Sequence, residues 1–136
     1  MSELTIGLNS EISLTVDESD TAAKWGSGLV PVFGTPSLVG LMEASAVKAL
    51  EGHLPDGQTT VGGHIDVRHL AATPVGMQVR ARAELISIEG RKLTFRIEAW
   101  DDVEKIGEAV HERFVIDKQK FIARAHEKAN AKSKSK

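Results

Sequence analysis

The stretch GTPSLVGLMEASAVKAL runs from Gly34 to Leu50. Twelve of its seventeen residues are apolar or glycine, and a single carboxylate, Glu43, stands near the middle. The composition predicts a helix that is apolar on nearly every face, and such a helix must be covered all round. Thr35 before Pro36 marks its start, with Thr as the N-cap and Pro at the first helical position. Gly52 stands where a C-terminal cap belongs.

The segments around this helix show a different period. Glu11 to Val16 alternates and is expected to form a short strand. Asp17 to Pro31 is polar, then Gly-rich, and reads as a long mobile loop around at most a helical turn. Beyond GHLPDGQ come four strand-like runs: TTVGGHIDVRHLAA, MQVRARAELISIE, RKLTFRIEAWDD and KIGEAVHERFVI. In the second, Met77, Val79, Ala81, Ala83 and Leu85 share one face, opposite Gln78, Arg80, Arg82 and Glu84. In the third, Leu93, Phe95, Ile97 and Ala99 alternate with Lys92, Thr94, Arg96 and Glu98. A period of two with one apolar face is a half-buried antiparallel strand. The expected fold class is therefore α+β. A curved antiparallel sheet wraps a long central helix, and a partner subunit closes what remains open.

A chain of 136 residues suits one domain, taken here as residues 1–129, with 130–136 as a basic, disordered tail. From Lys118 onward six Lys and one Arg stand against one Glu, a net +6, which leaves −8 for the rest of a chain whose overall charge is −2. A basic end can touch nucleic acid, but aromatic stacking groups are scarce, so a solvated surface helix is the expectation and no nucleic-acid partner is assigned. There is no cysteine, which excludes disulfides, thiolate metal sites and cysteine nucleophiles. The N-terminus lacks a basic region followed by an apolar run, and no segment has about twenty consecutive apolar residues. A cytoplasmic protein without a membrane span is expected.

Three residues are candidates for chemistry. The N-terminus of the central helix presents free N–H groups that attract a developing oxyanion, so Thr35 either merely caps the helix or stands at a reactive centre. Glu43 lies eight residues further on, with its direction within about 80° of Thr35's. An ionised carboxylate buried alone is costly. Glu43 therefore reaches water or a cation at a surface or dimer seam, or it is held as a general base. His69 falls on the apolar face of its strand with Ile65 and Val67, opposite His64, Asp66 and Arg68. It is either a satisfied core histidine or a group that orients reactants and carries a proton. His64 and His69 face opposite ways, so no metal site is expected. Gly62 and Gly63 interrupt the strand and allow a bulge or the close approach of a ligand. His111-Glu112-Arg113 reads as surface pairing, with a phosphate contact through Arg113 as the sharper alternative.

VFGTPSLVGLMEASAVKAL, VGGHIDVRHLAATPVG, the EGRKL turn and HERFVI together resemble the fluoroacetyl-CoA thioesterase family of the hot-dog superfamily. The likeness runs in order from about Val32 to Phe121. It implies a hot-dog dimer with sites at the interface, hydrolysis of a thioester, and catalytic roles for Thr35, Glu43 and His69. It also implies that Gly62, with Gly63 beside it, and Arg113 lie near the substrate or its CoA portion. No cofactor is implied, since the CoA thioester is itself the substrate. Enzymes of this family that select fluoroacetyl groups carry an aromatic-lined lid before the central helix. Here DESDTAAKWGSGLVPV has Trp25 as its one aromatic residue, so a short or medium acyl-CoA is the expected substrate. Two other readings remain: a non-catalytic acyl-CoA-binding dimer, and an enoyl-CoA hydratase or dehydratase.

Overall fold

In β3 (Gln78–Glu89) the alternation becomes burial: Val79, Ala81, Ala83 and Leu85 are fully buried, while Arg80, Arg82 and Glu84 are partly exposed. β4 (Lys92–Asp101) repeats the pattern with Leu93, Phe95, Ile97 and Ala99. The computed structural model describes residues 3–134. Together with β1 (Asn9–Thr15), β2 (Gln58–His69) and β5 (Lys105–Asp117), these strands form one antiparallel sheet in the order β1-β3-β4-β5-β2. All five expected strands are present.

The helix α2 (Thr35–Ala49) lies on the apolar face of the sheet, mainly over β3 and β1. Leu38, Leu41, Met42, Ala46 and Ala49 are buried in the shared core. Ser45, also buried, satisfies its hydroxyl by donating to the Met42 carbonyl at 2.6 Å. Gly107 on β5 lets the helix approach closely, because a Cβ there would lie 3.0 Å from Leu38 and 3.1 Å from Met42. A helix held in the curve of an antiparallel sheet is the hot-dog arrangement.

Three local expectations change. Gly34, not Thr35, is the N-cap of α2, which makes Thr35 its first residue and frees its hydroxyl for another partner. Within one chain α2 is not covered all round: Thr35, Gly40, Ala44 and Val47 remain exposed on the side away from the core. The segment expected as a loop holds a 3-10 turn (Glu18–Asp20), capped reciprocally by Asp17 and Asp20, and a short helix α1 (Ala22–Trp25). The bonds Ala22 N–H to Val32 O and Gly34 N–H to Asp20 O, both 2.8 Å, tie that segment to the start of α2.

The last helix, α3 (Lys118–Lys134), begins where expected but continues past Ala129. The chain therefore stays helical through most of what reads in sequence as a disordered tail, and residues 135 and 136 lie outside the described region. Among the described residues no helix is long and apolar enough to cross a membrane.

Candidate active site

Pro36 cannot donate a backbone hydrogen bond, and the Leu38 N–H is the first in α2 to reach back, to Gly34 O at 3.0 Å. The N–H groups of Thr35 and Ser37 therefore have no intrahelical acceptor. At this helix tip Thr35 Oγ1 lies 2.8 Å from His69 Nδ1, at the end of β2. The apolar strand face expected for His69 explains the meeting, since that face turns toward α2. His69 Nε2 is buried and has no hydrogen-bond partner among the described residues. Burial lowers the pKa of this imidazole from the usual histidine value, so it is neutral at pH 7. Ala22, Phe33, Ala71 and Ala72 join Thr35 and His69 around an open crevice of about 250 Å³.

Glu43 is not part of this pair. Eight residues of helix separate it from Thr35 by about 12 Å along the axis, and its polar neighbours are different. Arg113 Nη1 lies 3.5 Å from Glu43 Oε2, and His111 Nε2 lies 4.0 Å from the same oxygen. The Glu43 side chain is 41% exposed and stands beside a cation, which is the first of the two readings its sequence left open. Within one chain the three catalytic candidates form two clusters.

Arg113 is also placed differently from the expectation. The guanidinium faces inward and is buried, with Nε donating to Thr60 Oγ1 at 2.9 Å and Nη2 to the Thr60 carbonyl at 3.0 Å. Burial lowers its pKa from the usual arginine value, and Glu43 opposes that shift. Its Nε and both terminal nitrogens donate within the chain, which corrects the surface-pairing reading. Glu112, between the two, pairs with Lys92 on the other face at 3.9 Å.

The sequence reading missed His111 and Thr60. His111 is 1% exposed. Its Nδ1 lies 2.8 Å from the His64 carbonyl, and Arg113 Nη1 lies 3.2 Å from its Nε2. Burial lowers the His111 pKa, the His64 carbonyl pulls it up and the Arg113 charge pushes it down again. A neutral His111 makes its approach to Glu43 a polar contact, not an ion pair. The available signal was the period of β5: Ala109, His111 and Arg113 share the buried face.

The two glycines have separate reasons. The register of β2 against β5 shifts between Gly62 and His64, so Gly63 is the bulge residue. A Cβ on Gly63 would run into the Phe114 ring, whereas one on Gly62 would stand 2.8 Å from Glu43 Oε2. Gly62, two residues after buried Thr60, shares its face under the carboxylate, and the bulge brings Ile65, Val67 and His69 onto that same face.

The family model for fluoroacetyl-CoA-specific thioesterases matches residues 16–119. A fluoroacetyl-CoA thioesterase from Streptantibioticus cattleyicolor is 46% identical over 100 residues, 74% of this chain and 72% of that protein. A solved structure of a substituted form of the fluoroacetyl-CoA-specific thioesterase FlK, bound to fluoroacetate and CoA, superposes with a TM-score of 0.82 at 37% identity, covering 87% of this chain and 99% of that one. A thioesterase superfamily member from Thermus thermophilus superposes over the full length of both chains with a TM-score of 0.89 at 25% identity. With more than half its length matched by the family model, and the fold in agreement, the chain belongs to the fluoroacetyl-CoA-specific thioesterase family.

Proposed function

We propose that the protein hydrolyses a short-chain acyl-CoA to the free acid and CoA, at sites shared between two copies of the chain. The observation that carries the reading is the Thr35–His69 pair beside the N–H groups at the tip of α2. Membership of a thioesterase family supports the reaction class. The FlK complex with fluoroacetate and CoA supports a CoA thioester as the ligand. The limited volume of the crevice, about 250 Å³, favours a short acyl group.

The two clusters suggest how the copies meet. β2 is an edge strand, and an exposed edge is a template for pairing. Antiparallel pairing of two β2 strands about an axis through Asp66, with the bulge residue Gly63 left unpaired, sets His69 opposite Gly62 of the partner subunit. Directly opposed residues lie about 5 Å apart and point to the same face. The carboxylate over the partner's Gly62 thereby comes to the helix tip that its own Thr35 cannot share.

In this arrangement the thioester carbonyl lies against the N–H groups of Thr35 and Ser37. Each such donor is worth about a hundred- to a thousandfold in rate. His69 is neutral and its Nε2 is covered. A bare buried nitrogen costs less than an unmet N–H, so Nδ1 carries the proton and donates to Thr35 Oγ1. The Thr35 O–H then points to the carboxylate of Glu43 of the partner subunit, which takes a proton from that hydroxyl or from a water held by it. The oxygen adds to the carbonyl carbon, the C–S bond breaks, and the CoA thiolate leaves and takes up the proton. Where Thr35 attacks, a water then hydrolyses the acyl-threonine and restores the hydroxyl.

The test is thiol release across a panel of CoA thioesters from acetyl to octanoyl, with Glu43→Ala and His69→Ala as controls. Thiol release that falls as the acyl chain lengthens and disappears in the controls is expected. Binding without thiol release, or loss of enoyl absorbance without it, would replace this reading.

A further inference from the structure

We propose that His111 is a positioning residue for hydrolysis: by accepting one Arg113 N–H, it holds the guanidinium back from closing on Glu43 and keeps that carboxylate available as a base. The proposal rests on Glu43 being the base.

The bonding around His111 leaves it one tautomer. A carbonyl cannot donate, so at 2.8 Å from His64 O the Nδ1 must carry the proton. Nε2 is then a lone pair, and a guanidinium N–H stands 3.2 Å away to fill it. Nη1, with two N–H groups, is the part of Arg113 that faces both acceptors, because Nε and Nη2 donate to Thr60. It lies 3.2 Å from His111 and 3.5 Å from Glu43. A full charge-assisted bond to a carboxylate is about 2.7–2.9 Å. The ion pair is thus loose, and the shorter bond to the imidazole is what holds Nη1 at that distance.

The ring itself has little freedom. Phe95 on β4 packs against it at 6.4 Å between centroids, tilted by 35°. On the other side a Cβ at Gly62 would already lie 3.3 Å from Cε1. The charged or titratable groups facing His111 are Arg113 on β5, Glu43 on α2 and His64 on β2. A space-filling role alone would be met by an apolar residue without burying two polar nitrogens.

A guanidinium released from His111 moves toward Glu43. A carboxylate gripped by a cation takes up a proton only in stronger acid and is a weaker base. Protonation of His111 itself has the same result, since Nε2 then has no lone pair for Arg113.

The experiment compares His111→Phe and His111→Gln with the parent and with Glu43→Ala, on the full chain, by thiol release from the most rapidly cleaved thioester of the panel. His111→Phe keeps a ring but removes the acceptor. Its kcat is expected to fall about ten- to a hundredfold, with KM held within about twofold and the acid limb of kcat moved to lower pH. His111→Gln keeps an oxygen acceptor, so its acid limb is expected to stay with the parent's and most of its kcat to return. Should the Phe variant not fold, His111→Leu carries the same comparison. A folded variant lacking the acceptor that has the parent's kcat, or that loses kcat with an unmoved acid limb, overturns the proposal. Full activity in Glu43→Ala would instead remove the base on which it rests.

Discussion

Thr35 Oγ1 and His69 Nδ1 stand 2.8 Å apart, although 34 residues separate them along the chain. The contact exists because Gly34 caps α2 in place of Thr35. The role of Thr35 is thereby separable from helix stability. Thr35→Ala is expected to leave stability within about 0.5 kcal/mol of the parent, while kcat falls by about a hundredfold or more. Thr35→Ser keeps the hydroxyl and should retain most of the rate. Chemical denaturation and thiol release measure the two sides, and an active Thr35→Ala would show that the hydroxyl does no more than fill space.

Sites shared between subunits complement one another. Glu43→Ala and His69→Ala are each expected to be inactive as homodimers. Mixing them through reversible denaturation makes half the dimers mixed, and each mixed dimer contains one intact site, so about a quarter of parental activity returns. A mixture as inactive as its components would mean that no site is shared.

Gly62 and Gly63 should respond differently to an added methyl group. In Gly63→Ala the methyl meets the Phe114 ring, and the expected loss is about 1–3 kcal/mol of stability. In Gly62→Ala its nearest neighbour is the flexible end of Glu43, which can swing away, while the His111 ring at 3.3 Å has to give by only about a few tenths of an ångström. Stability should then change little while kcat drops, because the carboxylate has moved. Urea unfolding beside thiol release distinguishes the two, and equal destabilisation of both variants would contradict this.

Acid should weaken the fold through histidine. His69 and His111 both have pKa values lowered by burial, so the unfolded chain takes up protons that the folded chain resists. Their contribution is fully present above the unfolded value of about 6.5 and is lost as pH falls from there through the lower folded values. Replacing both with Gln should flatten the unfolding free energy between about pH 6.5 and 5. An unchanged slope would mean that neither histidine is protonated differently on unfolding.

The strands were legible because a half-buried antiparallel strand has to alternate. Val79 to Leu85 and Leu93 to Ala99 do so without exception, and both became core. The face of His69 followed from the same rule, with Ile65 and Val67 beside it. His111 and Arg113 obeyed the rule too. Three consecutive polar letters suggested a surface, although residues two apart on a strand share a face, and here that face is buried. Thr35 was misassigned as the cap by one position, since Thr-Pro is compatible with either start. The length of α3 was underestimated because a charged, solvated end carries no apolar period to mark where it stops.

The sequence by itself determined the strands, the apolar helix and which face each polar candidate shares, because periodicity is local and every turn of the backbone repeats it. Only the tertiary structure decided the partners. Thr35 met His69 because β2 ends at the tip of α2, while Glu43, about 12 Å further along the same helix, met Arg113 and His111 instead. Which side chains touch depends on the order of strands in the sheet and on one bulge at Gly63. Those are relations between distant segments, and no short stretch of the chain carries them.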